Sequence, residues 1–116
     1  MKEIKLPHKA PLKFAKTILQ KEQKRARVAI EFDEIPTLAM LVEAAAQSSA
    51  AFRADDSENA FLVSLKNIEL LHAPSLTHFE AEIIDEHRLE NLRYVRFEIF
   101  EDVQAVAAGT LVIAVE

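Results

Sequence analysis

The chain has 116 residues, half of them hydrophobic, and a formal net charge of −5. This length predicts one domain spanning residues 1–116, and the hydrophobic content is enough for one core. The acidic charge argues against nucleic acid as a partner, because phosphate backbones are bound through clustered Lys and Arg. The absence of cysteine excludes disulfides, thiolate metal sites and a cysteine nucleophile, and a single glycine, Gly109, excludes glycine-rich phosphate loops.

The beginning of the chain, MKEIKLPHK, lacks the apolar core of a signal peptide. No stretch approaches the roughly 20 apolar residues of a membrane span, so we expect a cytoplasmic protein. Pro7 and Pro11 predict that residues 1–11 form a short irregular lead-in. Residues 12–19 and 27–32 then predict two strands, joined by the polar run KEQKRA as a hairpin loop.

Residues 36–52 (PTLAMLVEAAAQSSAAF) predict a helix buried along most of its length. Ala, Leu and Met favour helix, and Pro36 suits a first helical position. At helical spacing Glu43 shares one face with Ala39, Ala46, Gln47 and Ala50. A carboxylate on such a face either reaches solvent or lines a cavity, because burying it unpaired would cost several kcal/mol.

After a predicted polar loop at residues 53–59, a long apolar run predicts a strand at residues 61–71. Alternating residues predict three more strands, at residues 77–84, 91–100 and 104–115. A lone apolar helix among antiparallel strands must be covered by a curved sheet. The predicted fold class is therefore α+β, with about six strands wrapped around one long central helix.

This order of elements is that of the hotdog fold, and four motifs resemble bacterial 3-hydroxyacyl-ACP dehydratases of the hotdog superfamily. Residues 6–11 (LPHKAP) resemble their Leu-Pro-His-Arg-x-Pro opening, and residues 41–47 (LVEAAAQ) resemble their helix signature. Residues 61–74 and 79–83 (FEAEI) are similar to two of their strands. The resemblance spans nearly the whole chain and implies a hotdog domain.

The connection before the helix departs from that family. In those dehydratases a His-Phe-Pro-Gly loop supplies the catalytic histidine, whereas here Ile30 leads through EFDEI into the helix. This shortened, histidine-free form looks more like the compact dehydratase-like members, including those of aryl-polyene pathways. It also looks like hotdog acyl-CoA thioesterases and acyl-binding proteins.

By resemblance Glu43 occupies the catalytic carboxylate position of the family and Gln47 the position one turn later. In a thioesterase the carboxylate would activate water or attack the thioester carbonyl. N–H groups of Thr37, Leu38 and Ala39 at the helix start would hold the developing oxyanion. The alternative for Glu43 is a helix-edge carboxylate in water or paired with Arg, and for Gln47 a purely structural hydrogen bond to a backbone carbonyl.

His8, His72, His78 and His87 have no metal-ligand spacing, which predicts ordinary surface histidines and no metal site. His72, close to Pro74 at a strand end, is the one candidate for substrate binding. The basic residues Lys21, Lys24, Arg25 and Arg27 indicate a solvated hairpin. The alternative is contact with the phosphates of coenzyme A or with an acidic carrier protein.

The resemblance implies binding of acyl thioesters, of coenzyme A or acyl carrier protein, in a tunnel beside the Ala46 and Ala50 face of the helix. It implies a role in fatty acid metabolism without a separate cofactor, since coenzyme A or phosphopantetheine is part of the substrate. Hydrolysis ranks ahead of 3-hydroxyacyl dehydration because dehydration needs two proton transfers. A non-catalytic acyl-CoA-binding protein is the further alternative. We also expect a homodimer in which strand 61–71 pairs with its twin.

Overall fold

The structure is a computed structural model that describes residues 2–3, 13–52 and 60–115. The predicted loop at 53–59, the motif at 6–11 and His8 lie outside the described residues. The described chain forms one antiparallel sheet and one helix, α1 (Leu38–Ser48), which continues as a 3₁₀ turn, Ser49–Phe52. The strands are β1 (Lys2–Glu3), β2 (Ala15–Lys21), β3 (Arg25–Glu31), β4 (Ala60–Leu70), β5 (His78–Leu89), β6 (Leu92–Glu101) and β7 (Gln104–Val115).

The sheet has the strand order β1-β2-β3-β5-β6-β7-β4. After β3 the chain crosses the sheet as α1, adds β4 at the far edge beside β7, and returns to place β5 beside β3. The helix packs on β2, β3, β5, β6 and β7. We call the face of the sheet that carries α1 the inner face. The antiparallel sheet with one helix agrees with the predicted α+β class.

The helix differs from its prediction at its beginning and in its length. Pro36 is not the first helical residue, because Thr37 is the N-cap and its hydroxyl oxygen accepts the Met40 N–H at 3.2 Å. The α-helix has 11 residues rather than the long span predicted, and the 3₁₀ turn completes it to Phe52. The helix is buried along most of its length, as predicted, with Leu41, Val42, Ala44, Ala45, Gln47 and Ser48. Among the described residues, no helix is long and apolar enough to cross a membrane.

The six predicted strands are all present, with changed ends. In β5, Phe79, Ala81 and Ile83 are buried and His78 is exposed, as the alternation predicts. The strand continues to Leu89, past the predicted end at Ile84, because the polar residues there pair with β6 in a hairpin. The prediction of an irregular segment at residues 1–11 is wrong for Lys2 and Glu3, which pair with β2. The predicted KEQKRA loop shortens to residues 22–24.

Irregularities in β4 decide which of its side chains face the helix. The ladder with β7 shifts register between Leu62 and Ser64 and again between Lys66 and Glu69, where Asn67 has a φ of 54°. Residues opposite one another in a ladder share a face. The inner face of β4 therefore carries Leu62, Leu65 and Leu70, opposite Ile113, Leu111 and Ala107. These leucines remain exposed although they lie on the inner face.

Gly109 lies where β4 crosses closest to the core. A Cβ atom at this position would clash with the Cδ1 atom of Ile68 and approach Phe97 Cε2 to 3.0 Å. The second bulge of β4 thus sends Ile68 over the glycine, against a fully buried phenylalanine. The single glycine of the chain leaves room for the end of the Ile68 side chain at this contact.

We predict that Gly109→Ala destabilises the protein by about 1–3 kcal/mol, because the added methyl group overpacks this contact. Urea unfolding at fixed protein concentration measures the effect. Ile68→Val removes the Cδ1 atom that the new methyl group would meet. The double variant should therefore be less destabilised than the sum of the two single variants. Additive losses would show that the Ile68 contact is not what requires glycine.

Candidate functional site

Glu43 and Gln47 meet on α1 as a hydrogen-bonded pair. Gln47 is 3% exposed, and its Oε1 accepts the backbone N–H groups of Phe14 at 2.8 Å and Ala15 at 3.1 Å. Its Nε2 donates to Glu43 Oε1 at 3.2 Å. Because a backbone N–H can only donate, these bonds fix the Gln47 amide with its oxygen toward β2 and its nitrogen toward the carboxylate. Gln47 therefore joins the helix, the start of β2 and Glu43.

The partners of Gln47 are backbone groups next to a cluster of aromatic rings. The Phe14 ring lies 4.8 Å from the Phe32 ring, which lies 5.6 Å from that of Phe79. The Phe14 carbonyl accepts the Glu31 N–H at 2.9 Å, which ties the start of β2 to the end of β3. Phe14 is thus held by its ring, its carbonyl and its N–H. The Gln47 amide is therefore hydrogen-bonded to a segment that is itself held in place by the sheet.

The face of the helix around Glu43 is partly open. Glu43, Ala46 and Ala50 are half-buried and Ala39 is exposed, whereas Gln47 is buried. The predicted face of small side chains thus lies along the border between the core and the surface. Glu43 reaches this border while its Oε1 is held from the buried side by Gln47. Glu43 is thus held from the buried side at the border between the core and the surface.

The helix start offers N–H groups near the same face. The Thr37 carbonyl accepts the Leu41 N–H at 3.0 Å, and its hydroxyl caps Met40. Within the described residues, no acceptor contacts the N–H groups of Leu38 and Ala39. The aligned peptide dipoles of α1 also favour negative charge at this end. The side chain of Thr37 is thus used in capping, while the Leu38 and Ala39 N–H groups have no acceptor among the described residues.

No described histidine contacts Glu43. His72 is exposed and follows β4, with its N–H 3.4 Å from the Val106 carbonyl at the sheet edge. Beyond His72, Glu101 accepts hydrogen bonds from the Ser75 hydroxyl and the Ser75 and Leu76 N–H groups. The bonds from Ser75 lower the pKa of the Glu101 carboxyl. The structure thus places His72 in an anchored connection beside the start of β7, and no contact joins it to the Gln47–Glu43 pair within the described residues.

The other described histidines, His78 and His87, and the basic residue Arg27 contact other parts of the sheet. His78 is exposed near Glu31, and the ring of His87 lies 5.5 Å from that of Tyr94. Arg27 binds Glu82 at 3.0 Å and Glu80 at 3.4 Å, so its charge is already paired. Within the described residues, no three His, Asp or Glu side chains come together as a metal site.

The sequence correctly predicted that Glu43 and Gln47 are neighbours on the helix. It did not predict the hydrogen bonds that hold their side chains in place. The expected alternative for Gln47 was a bond to a backbone carbonyl, whereas its oxygen accepts two backbone N–H groups and its nitrogen binds Glu43. The i, i+4 spacing of the pair was the only signal in the sequence. Every residue except proline has a backbone N–H group, so the sequence does not indicate which of them bond to a side chain. The hydrogen bonds from Phe14 and Ala15 to Gln47 were therefore not predictable.

Neither a protein-family model nor a curated protein sequence matches the chain. Among solved structures, the dehydratase heterocomplex ApeI:P from Xenorhabdus doucetiae superposes with a TM-score of 0.77 at 13% identity, over 94% of this chain and 86% of that one. An HP0420 homologue from Helicobacter felis gives 0.73 at 17% identity, over 95% and 82%. A hypothetical thioesterase with coenzyme A from Streptococcus pneumoniae gives 0.70 at 13% identity, over 86% and 84%.

These proteins have the hotdog fold, and the superpositions cover most of each chain. At this sequence identity the likeness concerns the fold alone. It agrees with the motifs found in the sequence and with the arrangement of one helix across an antiparallel sheet. The chain therefore has the hotdog fold.

Proposed function

We propose that this protein binds acyl thioesters of coenzyme A or acyl carrier protein beside α1 and hydrolyses them through Glu43. The observation that carries the proposal is the carboxylate of Glu43, held at 3.2 Å by a buried amide and half-open to a ligand. One neighbour in fold is called a hypothetical thioesterase and was solved with coenzyme A. No separate cofactor is needed, and the cytoplasm remains the expected location.

The reaction follows from the groups at the helix. Gln47 holds Oε1 of Glu43, and the carboxylate takes a proton from water as the water oxygen attacks the thioester carbonyl. The N–H groups of Leu38 and Ala39 stabilise the oxyanion. When the intermediate collapses, the carbon–sulfur bond breaks, the proton passes to the sulfur, and an acid and a thiol leave. This hydrolysis requires one carboxylate and no second base.

The acyl chain is proposed to lie between the Ala46 and Ala50 side of α1 and the inner face of β4. Leu62, Leu65 and Leu70 expose apolar surface on that face, although they lie on the helix side of the sheet. An apolar chain covering them would be stabilised by removal of this surface from water. This placement accounts for exposed leucines that face inward.

A second copy of the chain is proposed to complete this site by pairing along β4. In the described sheet β4 pairs only with β7, so its other edge is open. The second bulge puts Lys66 and Glu69 on the same outer face, opposite Thr110 and Ala108. An antiparallel twin could therefore pair Lys66 of one copy with Glu69 of the other, twice across the two-fold axis.

Dehydration of 3-hydroxyacyl thioesters is the second candidate, because one neighbour in fold is a dehydratase heterocomplex. The connection from Phe32 to Thr37 has no histidine, and no described histidine contacts Glu43. A dehydratase would therefore need another base, for which His8 or His72 is the candidate in this chain. A protein that binds acyl-CoA without turnover is the remaining alternative.

We predict that Glu43→Gln lowers kcat for acyl-CoA hydrolysis about a hundredfold or more, because the amide keeps the bond to Gln47 but cannot take a proton. Release of free thiol measures turnover without a signal from protein thiols, since the chain has no cysteine. Glu34→Gln, the same change in the exposed connection before α1, is the control and should leave kcat unchanged.

Assays with acyl-CoA and with 3-hydroxyacyl thioesters separate the candidates. Turnover of the hydroxyacyl substrate to an enoyl product would favour the dehydratase. Tight binding without turnover of either would establish a binding protein. Full activity of the Glu43→Gln variant would refute the role assigned to Glu43.

We predict that the wild type is a dimer at micromolar concentration and that Leu65→Asp makes it monomeric. The Leu65 side chain is 45% exposed in the single chain, so a charge there should disturb pairing far more than folding. Sedimentation velocity gives the mass, and circular dichroism checks the fold. Val103→Asp, at a 96% exposed turn residue, is the control and should remain dimeric. A monomeric wild type would contradict the pairing.

A further inference from the structure

Ile68 differs from the rest of β4, because it is half-buried whereas every other residue of the strand is exposed. The second bulge of β4 sets two residues, Asn67 and Ile68, against one residue of β7, Gly109. The Cδ1 atom of Ile68 lies where a Cβ atom of Gly109 would be. The Ile68 side chain therefore points to the inner face and fills the space above the glycine.

The space above Gly109 borders the hydrophobic core. A Cβ atom at Gly109 would lie 3.0 Å from Phe97 Cε2 and 3.2 Å from Phe97 Cζ, and Phe97 is only 1% exposed. Ala107, the next inner residue of β7, is buried and has only a methyl group. Ile68 packs against this core. Shortening Ile68 would therefore open a cavity at the core and would not merely remove exposed surface.

Ile68 also lies in the middle of the surface proposed for the acyl chain. Leu65 lies opposite Leu111 and Leu70 lies opposite Ala107, and these two leucines are 45% and 47% exposed. Ile68 lies between them on the same face of the same strand. An acyl chain that lies along β4 and covers one of the leucines reaches Ile68 before it reaches the other.

The Ile68 side chain has little freedom to make way for such a chain. Isoleucine is branched at Cβ and is therefore restricted in its rotamers. Phe97 is buried beneath it, so the side chain cannot sink further into the core. Methylene groups of a ligand that arrive at this point are kept out of the space above Gly109.

We propose that Ile68 sets the depth of the acyl site, and with it the longest acyl chain that the protein binds, by occupying the space above Gly109. The inference rests on the proposed binding of acyl thioesters and adds the residue that limits their length. Methylene groups beyond this limit stay in water, where they add nothing to the affinity.

Calorimetry with S-alkyl-CoA thioethers, from butyl to hexadecyl, measures affinity against chain length without hydrolysis. Each methylene group that becomes buried should raise the affinity about fourfold. The wild type should therefore show a rise followed by a plateau. Ile68→Ala removes three carbon atoms and should move the start of the plateau by about two carbons, so that long chains bind about tenfold more tightly.

Ile84→Ala is the matched control. Ile84 is also a half-buried isoleucine in a strand, but it lies opposite Arg96 on the outer face. This variant should keep the wild-type plateau. A plateau that moves equally in Ile84→Ala would overturn the inference, because the change would then follow from lost stability and not from the space above Gly109.

A pair of smaller changes tests the space itself and serves if Ile68→Ala does not fold. Ile68→Val removes only the Cδ1 atom and should move the plateau by about one carbon. Adding Gly109→Ala to this variant places a methyl group where that atom was. The double variant should return to the wild-type plateau. A double variant that keeps the moved plateau would show that this space does not limit the chain.

The remaining failures are distinguishable. An unmoved plateau in folded Ile68 variants would overturn this inference and leave the proposed function standing. Thioethers that bind no more tightly than free coenzyme A at any length would overturn both, because the protein would then have no acyl site. Circular dichroism establishes that each variant is folded under the conditions of the measurement.

Discussion

The structure depends on one buried amide. Gln47 accepts two N–H groups from the start of β2 and donates to Glu43, so a single side chain joins the helix to the sheet edge and fixes the carboxylate. A buried amide is stable only when its groups are paired, and here both ends find partners. Removing it would leave buried backbone donors without acceptors. The same bonds thus serve the fold and the candidate site.

The edge strand β4 is not fully covered in the described part of a single chain. One of its edges has no partner strand, and several of its leucines are exposed. Its bulges turn Leu62, Leu65 and Leu70 to the inner face, but α1 does not cover them. Only Ile68 reaches the core, across Gly109. The buried polar groups around Gln47 are therefore hydrogen-bonded, whereas the leucines of β4 are exposed. The proposed ligand and second copy both belong at this open side.

The sequence contained enough to predict the strands and the helix, because apolar residues alternate clearly in β5, β6 and β7 and alanines fill the helix. It also placed Glu43 and Gln47 one turn apart. It did not predict the bulges at Asn67 and Glu86, since one inserted residue changes the facing of its neighbours without changing composition. Asp85 continues the inward alternation of Phe79, Ala81 and Ile83, and it was missed because the predicted strand ended at Ile84, one residue before it.

The central claim is that the Gln47 amide is anchored on β2 and thereby holds Glu43. Amide hydrogen exchange at Phe14 and Ala15, compared between the wild type and Gln47→Leu, tests it most directly. The account predicts that exchange at these two amides accelerates about tenfold or more, while the Val28 and Ile30 amides of β3 remain protected. Unchanged protection at Phe14 and Ala15 would contradict it, because their N–H groups would then have acceptors other than Gln47.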